Sequence, residues 1–318
     1  MQQIVFLDSD TLDASVRLHR PDFPHHWLSY PATAPDQVVS RLREADIAII
    51  NKVRIGAAEL AALPGLRLIA LAATGSDNLD LDACRAAKVA VCNIRNYSGP
   101  SVPEHAMALM LALSRNLFAW RQSLQEGRWQ QSGQFCFFDH PIQDLHGKRL
   151  GIIGKGTLGQ ALGERALGIG MEVRYAQSQV DKEAQGDRLP LDELLASSDV
   201  ISLHCPLTPY TRNLIGEREL GLMKPTALLI NVGRGGLVDE QALLQALGNG
   251  QIGGAGFDVA SQEPPPQDHP LMQALQYPNF ILTPHVAWAS EESMQRLADQ
   301  LIDNINAFAA GRRQHRLV

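Results

Sequence analysis

Leu150-Gly151-Ile152-Ile153-Gly154-Lys155-Gly156-Thr157-Leu158-Gly159, followed by Gln160-Ala161-Leu162-Gly163-Glu164-Arg165-Ala166-Leu167, is the stretch on which the fold turns. An apolar run of strand length enters a GxGxxG, and a helix-forming run leaves it. Each glycine then has a physical role. Gly154 permits a tight turn, Gly156 lets backbone approach a pyrophosphate, and Gly159 lets the helix pack against the strand. The helix N-terminus adds unpaired N–H groups and a partial positive charge for the phosphates. In a chain with 26 glycines the spacing alone is a weak signal; the flanking strand and helix give it weight.

Working outward, the same alternation continues on both sides. Downstream, residues 172–175, 200–203, 227–230, 254–257 and 280–282 read as buried parallel strands. Upstream, residues 4–7, 47–50, 68–71 and 89–91 do so, with helical patterns at 37–45, 57–62 and 81–87. Two doubly wound α/β units are expected. Between them, Ser101-Val102-Pro103-Glu104 fits a capping box with Ser101 as N-cap and Glu104 at the third helical position. Apolar residues from Ala106 to Phe118 then run nearly all round, which predicts one helix to about Glu126, buried on every side. Such a helix would be roughly 35–40 Å long and could bridge two domains or two subunits. Residues 290–309 read as an amphipathic helix with Met294, Leu297, Leu301, Ile305 and Phe308 on one side.

Composition narrows the class. A chain of 318 residues is long for one core and suggests two domains. The net charge of -6 is spread along the chain, so no surface for nucleic acid or anionic lipid is expected. Met1-Gln2-Gln3-Ile4-Val5-Phe6-Leu7-Asp8 lacks the charged and apolar regions of a secretion signal, and no apolar run nears the roughly 20 residues of a membrane span. A cytoplasmic protein is expected. Cys84, Cys92, Cys136 and Cys205 form no CxxC pair, which argues for reduced thiols and against structural zinc or any other metal site.

The second strand of the downstream unit ends Tyr175-Ala176-Gln177-Ser178. An acid about 20 positions past the glycines would accept hydrogen bonds from an adenosine ribose and repel a 2′-phosphate. Gln177 can still bond a hydroxyl and Ser178 could donate to a phosphate, so NAD and NADP both remain open. Three further segments follow strands, where such folds put ligands. They are Asn231-Val232-Gly233-Arg234-Gly235-Gly236-Leu237-Val238, Asp258-Val259-Ala260-Ser261-Gln262-Glu263-Pro264-Pro265, and Thr283-Pro284-His285-Val286-Ala287-Trp288. Arg234 offers a planar fork suited to a carboxylate. Singly, an Arg among glycines, a Glu before prolines and a His after a strand are each commonly structural. Their shared address is what makes them candidates.

The order GxGxxG, NxxRGGxVD, DVxxxEPP, TPHxAW resembles the D-isomer-specific 2-hydroxyacid dehydrogenase family over essentially the whole chain, Asn96-Tyr97-Ser98 and Val102-Pro103-Glu104-His105 included. The resemblance implies transfer of a hydride between NAD(P)H and a small 2-keto acid. Arg234 would grip the substrate carboxylate and polarise its carbonyl. His285 would donate the proton, and Glu263 would bond the other imidazole nitrogen and favour the protonated ring. Thr74, Gly75 and Ser76 would supply backbone to the carboxylate. Asp258 would sit by the nicotinamide, Thr157 and Leu158 by the pyrophosphate, Cys205 and Pro206 by the adenine, and Val232 and Gly233 elsewhere along the cofactor. Residues 93–97 and 285–290 are most similar to hydroxypyruvate reductases, also called glycerate dehydrogenases. That likeness implies hydroxypyruvate or glyoxylate as substrate and Trp288 as a wall of a small polar pocket. D-lactate-type specificity is the alternative.

The family's architecture implies a flavodoxin-like substrate domain (1–99 and 287–318), an inserted Rossmann dinucleotide domain (100–286), and a homodimer formed through the helix from Ser101. Formate dehydrogenases resemble this chain but pair Gln with the His, and Glu263 argues against them. Long phosphoglycerate dehydrogenases carry a regulatory domain past the last helix, whereas this chain stops at Val318. Nucleotide-sensing corepressors of the same fold keep the triad, and turnover with a keto acid separates them.

Overall fold

Short buried apolar stretches, such as Ile47-Ala48-Ile49-Ile50 and Leu68-Ile69-Ala70-Leu71, form the centres of the sheets, and among the described residues every pairing between strands is parallel. The computed structural model describes residues 1–177 and 186–318. They divide into two units, residues 1–98 with 289–318, and residues 99–288.

The first unit holds β1 (Gln2–Phe6), β2 (His25–Ser29), α1 (Val38–Leu42), β3 (Ile47–Ile50), α2 (Ala57–Ala61), β4 (Leu68–Leu71), α3 (Leu81–Ala86) and β5 (Ala90–Cys92). Its sheet order is β2-β1-β3-β4-β5, the flavodoxin-like winding. Ile47 to Ile50 and Leu68 to Leu71 are wholly buried, as a sheet covered on both faces requires. Strand β2 leaves no clear signal in the sequence. His25-His26-Trp27-Leu28-Ser29 is a half-exposed edge strand with neither an aliphatic run nor alternation. Near the C-terminus, Arg316 bridges to Cys92 and covers the opposite edge.

In the second unit the chain begins with α4 (Ser101–Ser114), α5 (Leu117–Gln125) and α6 (Arg128–Ser132). It continues through β6 (Arg149–Ile153), α7 (Thr157–Gly168), β7 (Glu172–Ala176), β8 (Arg188–Leu189), α8 (Leu191–Ser197) and β9 (Val200–Leu203). It ends with α9 (Glu217–Leu222), β10 (Leu228–Asn231), α10 (Glu240–Gly248), β11 (Gly254–Phe257), α11 (Pro270–Ala274) and β12 (Phe280–Leu282). The sheet order is β12-β11-β10-β9-β6-β7-β8. That is the Rossmann winding with one strand added, and it reverses direction between β6 and β9. The last helix, α12 (Glu291–Ala309), returns to pack on β4 of the first unit. Ser290 caps it, its hydroxyl accepting the Ser293 N–H.

The long helix expected from Ser101 is broken. Asn116 takes a left-handed conformation (φ 51°) that no α-helix can carry through, and α5 starts anew behind it. With 14 residues, α4 is only about 21 Å long. The capping box is absent too. Helical geometry already includes Pro100, so Ser101 lies inside the first turn, and its buried hydroxyl donates to the Trp288 carbonyl at 3.4 Å. Burial is one-sided. Ala106, Leu109, Met110 and Leu113 pack on the sheet of their own unit, while Leu111, Leu117 and Phe118 are 40%, 55% and 51% exposed. Gly256 makes the close contact possible, because a Cβ there would stand 3.1 Å from the Leu109 Cβ.

Candidate active site

The turn out of β6 is shaped by its glycines. Gly154 has a φ of 111°, and a Cβ there would lie 2.6 Å from the Cys205 nitrogen. A Cβ on Gly159 would lie 2.1 Å from the Gly154 carbonyl, so helix and turn touch through backbone. On Gly156 a Cβ would meet nothing within 4 Å, so the turn is open on that side. No side chain caps α7, so the N–H groups of Thr157, Leu158 and Gly159 lie at an open helix end. An open glycine turn at a helix N-terminus fits a pyrophosphate. His204, Cys205 and Pro206 follow β9 against that turn. Burial holds the His204 imidazole neutral down to about 4 and pushes the Cys205 thiol up to about 11, so this wall is uncharged.

Gln177 follows β7 directly, and its N–H donates to the Leu189 carbonyl at 2.8 Å. Ser178 lies outside the described residues. An ion pair that joins the glycine turn to the sheet edge stands beside β7. The Lys155 ammonium, within the glycine turn, bonds both oxygens of Asp187 at 2.8 and 2.7 Å and lies 4.7 Å over the Tyr175 ring. An acid does stand beside β7, ten positions past Gln177 and already joined to a lysine. Its signal in the sequence was only a charged residue ahead of the short strand β8.

At the exit of β10, the Asn231 side chain folds the next turn on itself. Its amide donates to the Arg234 carbonyl at 3.0 Å and its oxygen accepts the Gly233 N–H at 3.2 Å. Arg234 is half-buried, with Nη1 donating to the Gly233 carbonyl at 2.9 Å. Gly235 brings this turn onto the next one, because a Cβ there would fall 1.9 Å from the Ala260 carbonyl oxygen.

Asp258, at the exit of β11, is 1% exposed. One carboxylate oxygen accepts the Thr283 hydroxyl at 2.5 Å and the Val286 N–H at 2.9 Å; the other accepts the Ala287 N–H at 2.8 Å. Behind it, His105 Nε2 is 2.9 Å from the Thr283 hydroxyl oxygen. The carboxylate therefore fixes the segment on which His285 stands, and neither its role nor that of His105 was visible in the sequence.

His285 itself has a φ of 57°, a conformation rare for a residue with a side chain. Its N–H donates to the Thr283 carbonyl at 3.0 Å, and its own carbonyl accepts the Trp288 indole N–H at 2.9 Å. The ring is turned so that Nδ1 lies 2.7 Å from Glu263 Oε2. Glu263 Oε1 accepts the Ala260 N–H at 3.1 Å. Glu263 thus bridges the β11 turn and the imidazole, and Nε2 is the ring nitrogen turned away from it.

Thr74, Gly75 and Ser76 belong to the first unit, at the exit of β4. The Thr74 hydroxyl donates to the Ile94 carbonyl at 2.7 Å, and the Asn93 amide donates to the Thr74 carbonyl at 2.8 Å. Among the described residues no group of three or more His, Cys, Asp or Glu could hold a metal ion, and no helix is long and apolar enough to cross a membrane.

Comparison with known proteins adds to this geometry. The profile described as D-isomer specific 2-hydroxyacid dehydrogenase, NAD binding domain, matches residues 107–287. A glycerate dehydrogenase of Methylorubrum extorquens is 51% identical over 315 residues, covering 99% of this chain and 98% of its own. A hydroxypyruvate reductase of Blautia hydrogenotrophica is 36% identical, with 88% and 87% covered. Among solved structures, an NADPH-dependent glyoxylate/hydroxypyruvate reductase from Sinorhizobium meliloti, in complex with citrate, superposes with a TM-score of 0.84 at 27% identity. That match covers 100% of this chain and 98% of the other.

Proposed function

The chain belongs to the D-isomer specific 2-hydroxyacid dehydrogenases, and from that premise we propose that it reduces hydroxypyruvate and glyoxylate to D-glycerate and glycolate. The observation that carries this reading is the 2.7 Å contact of His285 Nδ1 with Glu263, beside the loop bearing Arg234. An imidazole whose Nδ1–H donates to a carboxylate is held in one ring orientation, with Nε2 left to face the reacting oxygen. When bound, the nicotinamide supplies the hydride that adds to C2 of the keto acid. His285 Nε2 delivers the proton to the carbonyl oxygen, and the product leaves as the alcohol. Arg234 holds the substrate carboxylate with its planar fork. Thr74, Gly75 and Ser76 are assigned backbone contacts to the same carboxylate, and Trp288 a wall of the pocket. In the oxidative direction His285 accepts the proton.

The second unit is assigned the dinucleotide, either NADH or NADPH. Gly154, Gly156, Thr157, Leu158 and Gly159 take the pyrophosphate, Gln177 the ribose, and Cys205 with Pro206 the adenine. Val232 and Gly233 line the remainder. Asp258 is assigned to the nicotinamide side through the segment it fixes. Exposed Leu111, Leu117, Phe118 and Leu124 support a homodimer that covers them, in the cytoplasm. One assay tests the reading: oxidation of NADH and of NADPH, each with hydroxypyruvate, glyoxylate and pyruvate. Turnover fastest with hydroxypyruvate or glyoxylate is expected. Fastest turnover with pyruvate would assign D-lactate-type specificity, and absence of turnover with all three would reject the reading.

A further inference from the structure

Two ionisable groups outside the Arg–Glu–His cluster lie buried against each other. Glu240 opens α10 and His269 precedes α11, each only 8% exposed, with His269 Nε2 3.1 Å from Glu240 Oε2. Ser261 gives Glu240 two more hydrogen bonds, its N–H to Oε1 at 2.7 Å and its hydroxyl to Oε2 at 2.5 Å. The imidazole's tautomer follows from its other nitrogen. Nδ1 accepts the Leu271 N–H at 3.3 Å, so it carries no proton, and the proton sits on Nε2 facing Glu240. Serine, histidine and glutamate together invite a nucleophilic reading, but the geometry rejects it. The Ser261 oxygen (3.2 Å) and the carboxylate both lie on Nε2, so no free nitrogen is aligned to take the serine proton. This set is structural in its chemistry.

Its location says what it supports. Ser261 adjoins Ala260, whose N–H holds Glu263 Oε1, and Glu263 Oε2 meets His285. On the other side, Asp239 caps α10 and Glu240 ends the segment that begins at Arg234. Residues 261–264 are exposed, and the Ser261 bonds to Glu240 tie that turn to the buried end of α10. We propose that Glu240, Ser261 and His269 form a buried brace that fixes the Ala260–Glu263 turn and so holds the Glu263 carboxylate on His285. All three are positioning residues, and the inference rests on the Glu263–His285 reading above. The titratable and charged groups around that pair are Asp258 beneath the 283–287 segment, His105 behind Asp258, Arg234 on the adjoining turn, and the Glu240–His269 pair itself.

The test is the pH dependence of kcat/KM for hydroxypyruvate reduction by the full chain, in Glu240→Gln, Ser261→Ala and Glu263→Gln, singly and combined. Glu263→Gln is expected to move the alkaline limb to lower pH, because it removes the carboxylate charge held 2.7 Å from Nδ1. Glu240→Gln and Ser261→Ala should move it the same way by about half a pH unit, with activity below the limb retained within about threefold. In the Glu263→Gln background neither should move it further. An unmoved limb in the folded single variants overturns the brace, as does a shift that adds in full to that of Glu263→Gln. Failure of both variants to fold makes the cluster a core element and overturns it equally. If Glu263→Gln itself leaves the limb unmoved, the Glu263–His285 reading fails and the brace falls with it; a limb moved by Glu263→Gln alone removes only the brace.

Discussion

Asp8 in the first unit and Asp258 in the second stand in equivalent places and do equivalent structural work. Each follows a strand, is buried, and binds backbone N–H groups of the loop leaving the adjacent strand. Asp8 takes those of Asn51, Lys52 and Val53 at the exit of β3, between 2.6 and 3.1 Å. Asp258 takes those of Val286 and Ala287 at the exit of β12, together with the Thr283 hydroxyl. Several donors converging on one carboxylate stiffen both loops and compensate the buried charge. What differs is the load. The loop in the second unit carries His285, whose ring is met by Glu263 from a third strand exit; the clamped backbone in the first unit carries no partnered acid–base pair. One clamp design thus serves two doubly wound sheets, and chemistry resides where the clamped loop presents a titratable group to a partner.

The largest break in that comparison comes from removing the titratable group. His285→Ala should lower kcat/KM by about three to four orders of magnitude in both directions, with cofactor affinity unchanged by equilibrium titration. A loss under about tenfold would end the assignment. Arg234→Lys keeps the charge but loses the planar fork, and should cost on the order of 2–4 kcal/mol in kcat/KM. Here too cofactor affinity should hold, since the change is confined to the substrate carboxylate.

Next come the clamps themselves. Asp8→Asn and Asp258→Asn should each destabilise the chain by about 2 kcal/mol in denaturant unfolding, since each replaces a charged acceptor of buried N–H groups. Only Asp258→Asn should also lower kcat, by about tenfold or more, because only it releases the backbone under His285. Equal loss of kcat in both variants would show that the two loops carry the same load.

How much of this was legible in the sequence follows from how local each signal is. The GxGxxG turn, its strand and its helix occupy about twenty consecutive residues, so their reading needed no tertiary knowledge. Arg234, Glu263 and His285 could be singled out because each follows a strand. Asp258 could not be given its structural role, since its partners lie 25–29 residues downstream and meet it only once β12 pairs with β11. Edge strand β2 was invisible because its solvent-facing residues break any apolar pattern. The interruption at Asn116 is hidden because apolar residues run up to Leu113 and resume at Leu117, so Ser114-Arg115-Asn116 reads as one polar turn of a continuing helix and the left-handed residue leaves no mark in that pattern.

The smallest expected effect concerns the ribose end of the cofactor, where charges are partly exposed and screened. Lys155 stands in the glycine turn and Gln177 at the tip of the neighbouring strand, the position from which a Rossmann domain reads the ribose 2′ group. Asp187 already occupies the Lys155 ammonium, so neither a lone acid nor a lone base faces the 2′ position from this pair. Discrimination between NADH and NADPH should therefore stay below about a hundredfold in the wild type. Gln177→Asp adds a carboxylate that repels a 2′-phosphate, and should move the ratio of kcat/KM values toward NADH by about tenfold. Asp187→Asn releases Lys155 to the phosphate and should move it toward NADPH by a similar or smaller factor. Opposite signs are what the pairing requires, and both shifts should shrink as ionic strength rises, because exposed charges are screened over about 10 Å at 0.1 M salt. If Asp187→Asn moves the ratio toward NADH, Lys155 does not address the ribose, and the lysine pair only ties the glycine turn to the sheet edge.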